Sequence, residues 1–337
     1  MGNDRMKKKT DLSIKSIAEM VGVSPTTVSF VLNGKAEKFK IAEETRAKIL
    51  KIASEYNYQP NFHARAMLAK KTFLIGVIVY NIDSSFIAQI LAGISRELAA
   101  NGFHMVLAES RLQPDKENEA FDFMAQIGVD GYIYAPVMDG NLPQIIHDPK
   151  QLRYKPLVSI LHPVPDTPGV FTDHTIGAEL IAEKLWNSGH RRIAYYGEVS
   201  KKLNTRFDER YLGIRDFYET RGYQVPVLTE EQILEFVNDY TAIFCFSDDL
   251  AAQLFMVLQK RGIKVPDNIS LAGYSFSDPI HAYVQPQITS IMEYKEELGR
   301  VAAQRLLELV QDKGSFPELY SKLRPYLVEG DTVRTIE

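Results

Sequence analysis

Cysteine is almost absent: Cys245 is the one thiol in 337 residues, and it lies inside the apolar run 242–246. No disulfide framework can form from it, and a reducing compartment is the simpler expectation. No apolar run approaches the ~18 residues that a membrane helix needs, which removes any spanning segment from the reading. The chain starts with charged residues and no apolar centre of the kind a secretory signal carries, so a cytoplasmic protein without membrane contact is expected. Motifs of catalysis and cofactor binding are missing too. There is no G-x-G-x-x-G after the first apolar run, no Walker A loop, no H-E-x-x-H, no G-x-S-x-G and no Cys/His cluster. The expectation is therefore no enzyme, no catalytic residue, no metal and no cofactor. His190, in Gly189-His190-Arg191-Arg192, reads as a turn residue ahead of a strand. Asp248 and Asp249 are adjacent at a helix start and point apart, the first as a cap.

What is present is an ordinary soluble composition, 45% apolar and 24% charged, over a length that suits two or three domains. The net charge of -4 conceals an asymmetry. Residues 1–72 carry 14 Lys+Arg against 7 Asp+Glu, a balance of +7, so the remainder carries -11. The amino-terminal part suits phosphates or is merely a solvated basic surface; the rest suits neither phosphate nor any other polyanion.

Residues 13–56 read as three short helices. Ile14, Ile17 and Ala18 recur at helical spacing, and Gly22 breaks the first helix with a residue suited to a left-handed turn. Ser24 offers a cap for a second helix and Pro25 its first position. A third helix spans about 43–56 with Ile49, Ile52, Ala53 and Tyr56 on its inner stripe. From Leu74 the pattern changes to apolar runs at 74–80, 104–108, 131–135, 157–161, 193–197, 242–246 and 270–273. Segments of helical periodicity at 86–101, 118–127, 176–188 and 250–261 lie between them. Such alternation predicts two parallel sheets covered by helices on both faces, with a boundary near 160.

Two helices joined by a turn of about three residues form a helix-turn-helix, whose second helix enters a major groove. Spacing at 100° per residue puts Val28, Val31 and Leu32 on one face of that helix. Pro25, Thr26, Ser29, Phe30 and Asn33 fall on the other, with hydroxyls and amides in place of long charges. The run Ser13-Ile-Lys-Ser-Ile-Ala-Glu-Met-Val-Gly-Val-Ser-Pro-Thr-Thr-Val-Ser-Phe-Val-Leu-Asn33 resembles the amino-terminal signature of the lactose/galactose repressor (LacI/GalR) family. The likeness continues through Glu43-Glu-Thr-Arg46, Tyr58-Gln-Pro-Asn61, Ala64-Arg65, Ile75-Gly-Val-Ile78, Asp130-Gly131, Gly189-His-Arg-Arg-Ile193, Val265-Pro266 and Leu298-Gly299.

The resemblance implies an all-α helix-turn-helix head over 1–58, a hinge over 59–72 and an effector-binding, dimerising body over 73–337. The body is then α/β and periplasmic-binding-protein-like, with two doubly wound parallel-sheet lobes. It implies a homodimeric transcription regulator, a repressor, that binds a pseudo-palindromic operator and answers to a small, carbohydrate-related effector. Control by a protein partner is the alternative; a stand-alone solute-binding protein is disfavoured by the basic head. The implied DNA contacts are Ser13, Lys15, Ser24, Pro25, Thr26, Thr27, Ser29, Phe30, Asn33 and Tyr58, with Asn61, Arg65 and Met67 in the hinge. Phe30 departs from the family, which usually has arginine there; it touches a thymine methyl or sugar, or packs against the hinge. Met67 stands where the family inserts a leucine between base pairs.

For the effector the resemblance implies Phe86, Ile87, Leu161, Asp173, Arg210, Phe246, Ser247, Asp248, Ser275 and Glu293. Arg210 either forks onto ligand oxygens or is a surface ion-pair residue. Leu161, Ser247 and Ser275 stand where sugar sensors usually carry amides or carboxylates, so together with Arg210 they tilt the expectation toward an acidic or modified sugar.

Overall fold

The computed structural model describes residues 13–32, 34, 36–56, 58, 71–136, 155–197, 209–311 and 318–337. The chain divides into two compact units, Met1–Thr72 and Phe73–Glu337.

In the first unit α1 (Ile14–Val21), α2 (Pro25–Leu32) and α3 (Glu43–Glu55) surround a small core of Ile17, Ala18, Val28, Val31, Ile49 and Ala53. Each boundary has a chemical cause. The Ser13 hydroxyl accepts from the Ser16 amide at 3.1 Å and opens α1, and Gly22, at φ 72°, closes it. The Ser24 hydroxyl accepts from the Thr27 amide at 3.1 Å and opens α2 at Pro25. Tyr56 departs from the expected inner stripe and is 53% exposed. The last buried residue of α3 is Ala53, so the core stops before the helix does and the described residues leave the ring uncovered.

In the second unit all seven apolar runs are strands. The elements in order are β1 (Leu74–Val79), α4 (Ser85–Ala100), β2 (His104–Glu109), α5 (Pro114–Ile127), β3 (Gly131–Tyr134), β4 (Leu157–Ile160), β5 (Gly169–Thr172), α6 (His174–Asn187) and β6 (Ile193–Tyr196). There follow α7 (Glu209–Glu219), α8 (Glu230–Glu235), β7 (Ala242–Cys245), α9 (Asp248–Lys260), β8 (Ser270–Ala272), α10 (Asp278–Tyr283), β9 (Ser290–Met292), α11 (Lys295–Val310), β10 (Tyr320–Leu323) and β11 (Tyr326–Val328). Among the described residues no helix is long and apolar enough to cross a membrane.

The first lobe is a six-stranded sheet in the order β10-β5-β4-β3-β1-β2, parallel at every pairing. Ile87, Ile90, Ile94 and Leu98 of α4, with Leu298, Ala302 and Leu306 of α11, bury one face; Phe121 and Met124 of α5 bury the other. The second lobe is the parallel sheet β6-β7-β8, extended by parallel bridges at Val227 beside Tyr195 and Thr289 beside Ala272. Its faces are covered by α6 and α7 on one side and by α9 on the other. Both lobes are thus doubly wound.

A single boundary near 160 is overturned. The first sheet takes in β5, then recovers α11 and β10 from the far end of the chain. The chain therefore passes between lobes after Thr172, again between Met292 and Lys295, and again between Leu323 and Tyr326. The reason is hydrogen bonding: β4 and β5 extend the edge that starts at β3, and β10 pairs with β5 through Tyr320–Leu323 alongside Gly169–Thr172.

Candidate functional site

On the head, the two helix starts and the outer side of α2 make the candidate nucleic-acid face. Ser13, Lys15, Ser24, Pro25 and Thr26 are exposed; Thr27, Ser29 and Phe30 are half-buried; Val28 and Val31 are buried. Ser13 and Ser24 use their hydroxyls as caps, so what they leave toward a phosphate is the positive end of a helix. Tyr58 is half-buried against the head core, its amide bonded to the Ala53 carbonyl at 2.8 Å. Phe30 has an aromatic partner, Phe39, in the loop after α2, with ring centroids 3.7 Å apart. Asn33, Asn61, Arg65 and Met67 lie outside the described residues.

In the body, the order of each sheet reverses beside its first strand, between β1 and β3 in one lobe and between β6 and β7 in the other. Carboxyl ends of strands at such a reversal frame a crevice that neither neighbouring loop fills, which is where open α/β sheets hold ligands. Several side chains converge there. The Arg210 guanidinium, on α7, donates to the Phe246 carbonyl at 2.8 Å and lies over the rings of Phe246 and Tyr274, at 4.3 and 4.5 Å. His174, at the start of α6, meets the Tyr274 hydroxyl at 3.1 Å through Nδ1. Glu293, just past β9, is 3% exposed; one carboxylate oxygen accepts from the Ser275 hydroxyl. Its other oxygen, Oε1, is buried without a hydrogen-bond partner among the described residues and stands 3.9 Å from His174 Nδ1. Tyr80 lies one residue past β1 and packs against the first lobe's core; burial pushes its phenol up, the Arg210 charge pulls it down and Glu293 pushes it up. Lys295 is buried at the start of α11; its ammonium donates to the Ser275 and Phe276 carbonyls at 3.2 and 2.5 Å and lies 5.6 Å from the Phe86 ring. Burial holds that ammonium below the ordinary lysine range, against the raising effect of Glu293.

Of the effector residues read from the sequence, Phe86, Arg210, Phe246, Ser275 and Glu293 come together in this cluster. Others are occupied elsewhere. Ile87 is fully buried in the first lobe's core. Asp173 caps α6, accepting from the Ile176 amide at 3.3 Å. Ser247, not Asp248, is the cap of α9, accepting from the Leu250 amide at 3.3 Å, because Asp248 already lies inside the helix. Asp248, 1% exposed, accepts from Ser290 at 2.6 Å, from the Ser277 amide at 3.2 Å and pairs with His281 at 2.8 Å. It ties β9 and α10 to α9. Leu161 is half-buried against the first lobe's core with φ 69°, and Ser275 has φ 64°, so both strand ends turn through a conformation that L side chains rarely adopt. Sequence reading missed Tyr80, His174, Tyr274 and Lys295. The signals were their positions: one residue past β1, one past Asp173, two past β8 and two past Glu293.

His190 is fully buried, with Nδ1 3.0 Å from the Thr241 hydroxyl and Nε2 3.0 Å from the Arg334 carbonyl. Burial lowers its pKa, and lowers that of His174 much further, with the Arg210 charge adding to the effect. An unfolded histidine titrates near ~6.5. Below that pH the unfolded chain binds protons that the folded chain refuses, so stability is complete above about pH 7 and is lost as pH falls through about 6.5 toward the lower folded values. Thermal unfolding between about pH 8 and 5 should show this loss, and His174→Gln should flatten it; a profile unchanged by that substitution would exclude His174 as a source.

Residues 13–61 match the family model described as "Bacterial regulatory proteins, lacI family", and residues 182–333 match a "Periplasmic binding protein-like domain". The HTH-type transcriptional repressor PurR of Photobacterium profundum is 29% identical over 341 residues, covering 96% of this chain and 99% of that protein. Catabolite control protein A of Priestia megaterium is 29% identical over 320 residues, covering 90% and 93%. The crystal structure of the lac repressor dimer bound to operator and the anti-inducer ONPF shares the fold, with a TM-score of 0.83 at 23% identity over 96% of this chain and 100% of that one. Residues 13–61 thus carry a lacI-family head of three helices with a capped second helix, residues 182–333 belong to a periplasmic-binding-protein-like body of two doubly wound lobes, and the chain is similar from end to end to these transcription regulators.

Proposed function

We propose that the protein is a homodimeric repressor whose two heads grip a pseudo-palindromic operator, and whose body changes that grip when a small, carbohydrate-related effector enters between its lobes. The operator part is supported by the polar outer face of α2, by the two capped helix starts beside it and by the similarity to DNA-binding repressors. The effector part rests above all on Glu293 Oε1. A buried carboxylate oxygen with no donor is expensive, on the order of 1–3 kcal/mol, and a ligand hydroxyl or amine removes that cost. The rings of half-buried Phe86 and of Phe246, 37% exposed, supply flat walls on which a sugar ring rests.

This geometry argues against the acidic sugar that the sequence favoured. Arg210 is already spread across two rings and a carbonyl, whereas the orphaned group is an acceptor that repels an incoming carboxylate. Titration calorimetry of the full chain with a hexose, its 2-amino sugar and its uronic acid tests the point. Binding is expected for the first two and not for the third, and Glu293→Ala should weaken it by about tenfold or more. Tightest binding of the uronic acid would refute the donor requirement. Silence toward all sugars and polyols would shift control of the body to a protein partner.

A further inference from the structure

The head carries two phenylalanines that its core does not use. Phe30, on the outer side of α2, lies face to face with Phe39, ring centroids 3.7 Å apart and planes within 3°. Neither ring joins the cluster built on Ile17, Val28, Val31 and Ile49. Phe39 is 45% exposed, on a loop that is itself fixed. Ala36 anchors the loop in the core, the Ile41 amide bonds to the Ala36 carbonyl at 2.9 Å, and the Lys40 amide bonds to the Glu37 carbonyl at 3.0 Å. The exposed Lys38 and Lys40 flank the ring on either side in sequence.

A stacked aromatic pair standing outside the core, beside the helix that meets the groove and between two lysines, is built to be covered by something apolar within something anionic. Duplex DNA answers that description at one kind of place. The major groove offers donors and acceptors at every base pair but a single apolar group, the C5-methyl of thymine, and phosphates line its rims. Phenylalanine makes no hydrogen bond, so Phe30 forgoes the bidentate readings open to polar side chains and keeps only this one.

We propose, resting on the operator-binding reading above, that Phe30 and Phe39 form one rigid apolar edge that reads a thymine methyl in each half-site, with Lys38 and Lys40 on the neighbouring phosphates. Stacking on Phe39 holds the Phe30 ring in place, so little rotamer freedom is lost on binding and a contact of modest area becomes selective. Phe39 acts here as a positioning residue through Phe30, and through its own exposed edge.

The test uses the full-length protein and a duplex selected by it from a random pool. Each thymine of one half-site is replaced in turn by uracil, which removes the methyl and nothing else, and affinity is read by fluorescence anisotropy. At one thymine the parent protein should lose about fourfold to tenfold in affinity, the worth of one methyl group returned to water. Phe30→Ala and Phe39→Ala should bind the thymine duplex more weakly and no longer distinguish it from the uracil duplex. Phe39→Leu, which keeps an apolar side chain in the loop, should retain part of the distinction and guards against a loss that reflects only unfolding. A parent protein indifferent to uracil at every position overturns the proposal, as does a Phe39→Ala variant that discriminates as the parent does. Failure to select any duplex overturns operator binding itself, and this inference with it.

Discussion

Gly93→Val should lower the unfolding free energy by about 3 kcal/mol or more, and Gly299→Val should do the same. A Cβ placed on Gly93 would stand 1.9 Å from the Glu296 carbonyl oxygen and 2.8 Å from its carbon; one on Gly299 would stand 2.0 Å from the Ile90 carbonyl oxygen. These two glycines let α4 and α11 touch backbone to backbone. A flexible side chain can swing aside, but a helix carbonyl moves only with its helix, so the two helices must part. Parting them strips Ile90 and Ile94 from Leu298 and Ala302, all buried in the first lobe's core. Helix propensity works the other way, since glycine inside a helix is worse than alanine by about 1 kcal/mol. The clash is larger, so even Gly93→Ala should destabilise. Urea unfolding of both alanine variants decides this, with Ala88→Gly on the exposed side of α4 as the control that loses only about 1 kcal/mol. Gly93→Ala as stable as the parent would mean that the helices have room.

The same contact shows what sequence pattern can and cannot convey. Every long apolar run became a strand; β1, β3, β4 and β7 are buried on both faces and so have to be apolar throughout, whereas β2, at the sheet edge, stays partly exposed. The strands that escaped notice are β5, β9, β10 and β11, each of three or four residues, and β10 reads Tyr-Ser-Lys-Leu with no fully buried member. Such an edge strand is made by its partner, here β5, and leaves little trace of its own. The helix α11 escaped for another reason: its apolar stripe is interrupted by glycine and alanine where α4 lies against it, so the tightest contact in the lobe is composed of the least hydrophobic residues. Interleaving of the two lobes follows from these late elements, which is why a single boundary looked sufficient.

The candidate sites divide along similar lines. The cap at Ser24 was legible because capping is local chemistry within four residues. The candidate effector cluster includes Tyr80, His174, Arg210 and Glu293, which are more than two hundred residues apart at the extremes and come from strand ends and helix starts of different lobes. Family resemblance named Arg210 and Glu293, which stand in this cluster, and also Ile87, Asp173 and Asp248, which lie in the core, at a helix cap and in a buried network, placements decided by neighbours that no local pattern names.

Affinity for a selected duplex should fall by roughly a thousandfold between about 50 and 200 mM salt. The number follows from where the head keeps its charges. On α3 the cations are internally paired: Arg46 with Glu43 at 3.2 Å, Lys48 with Glu44 at 2.8 Å and Lys51 with Glu55 at 3.9 Å. Lys15 at the start of α1 and Lys38 and Lys40 after α2 are exposed, and none has an ion pair among the described residues. These cations thus belong to a capped helix start and to the loop of the Phe30–Phe39 edge, while α3 turns a nearly neutral surface outward. Among the described residues three such lysines in each of two heads give about six phosphates, hence a slope near -5 or steeper in log affinity against log salt and a loss of about three decades or more over a fourfold change in salt. Lys38→Ala should shallow that slope by roughly two, one for each head, and weaken all duplexes alike. Phe39→Ala should leave the slope as it is, because a methyl contact releases no counterion. A flat salt dependence, or a Phe39→Ala variant that loses slope while Lys38→Ala keeps it, would place the phosphate contacts somewhere other than this face.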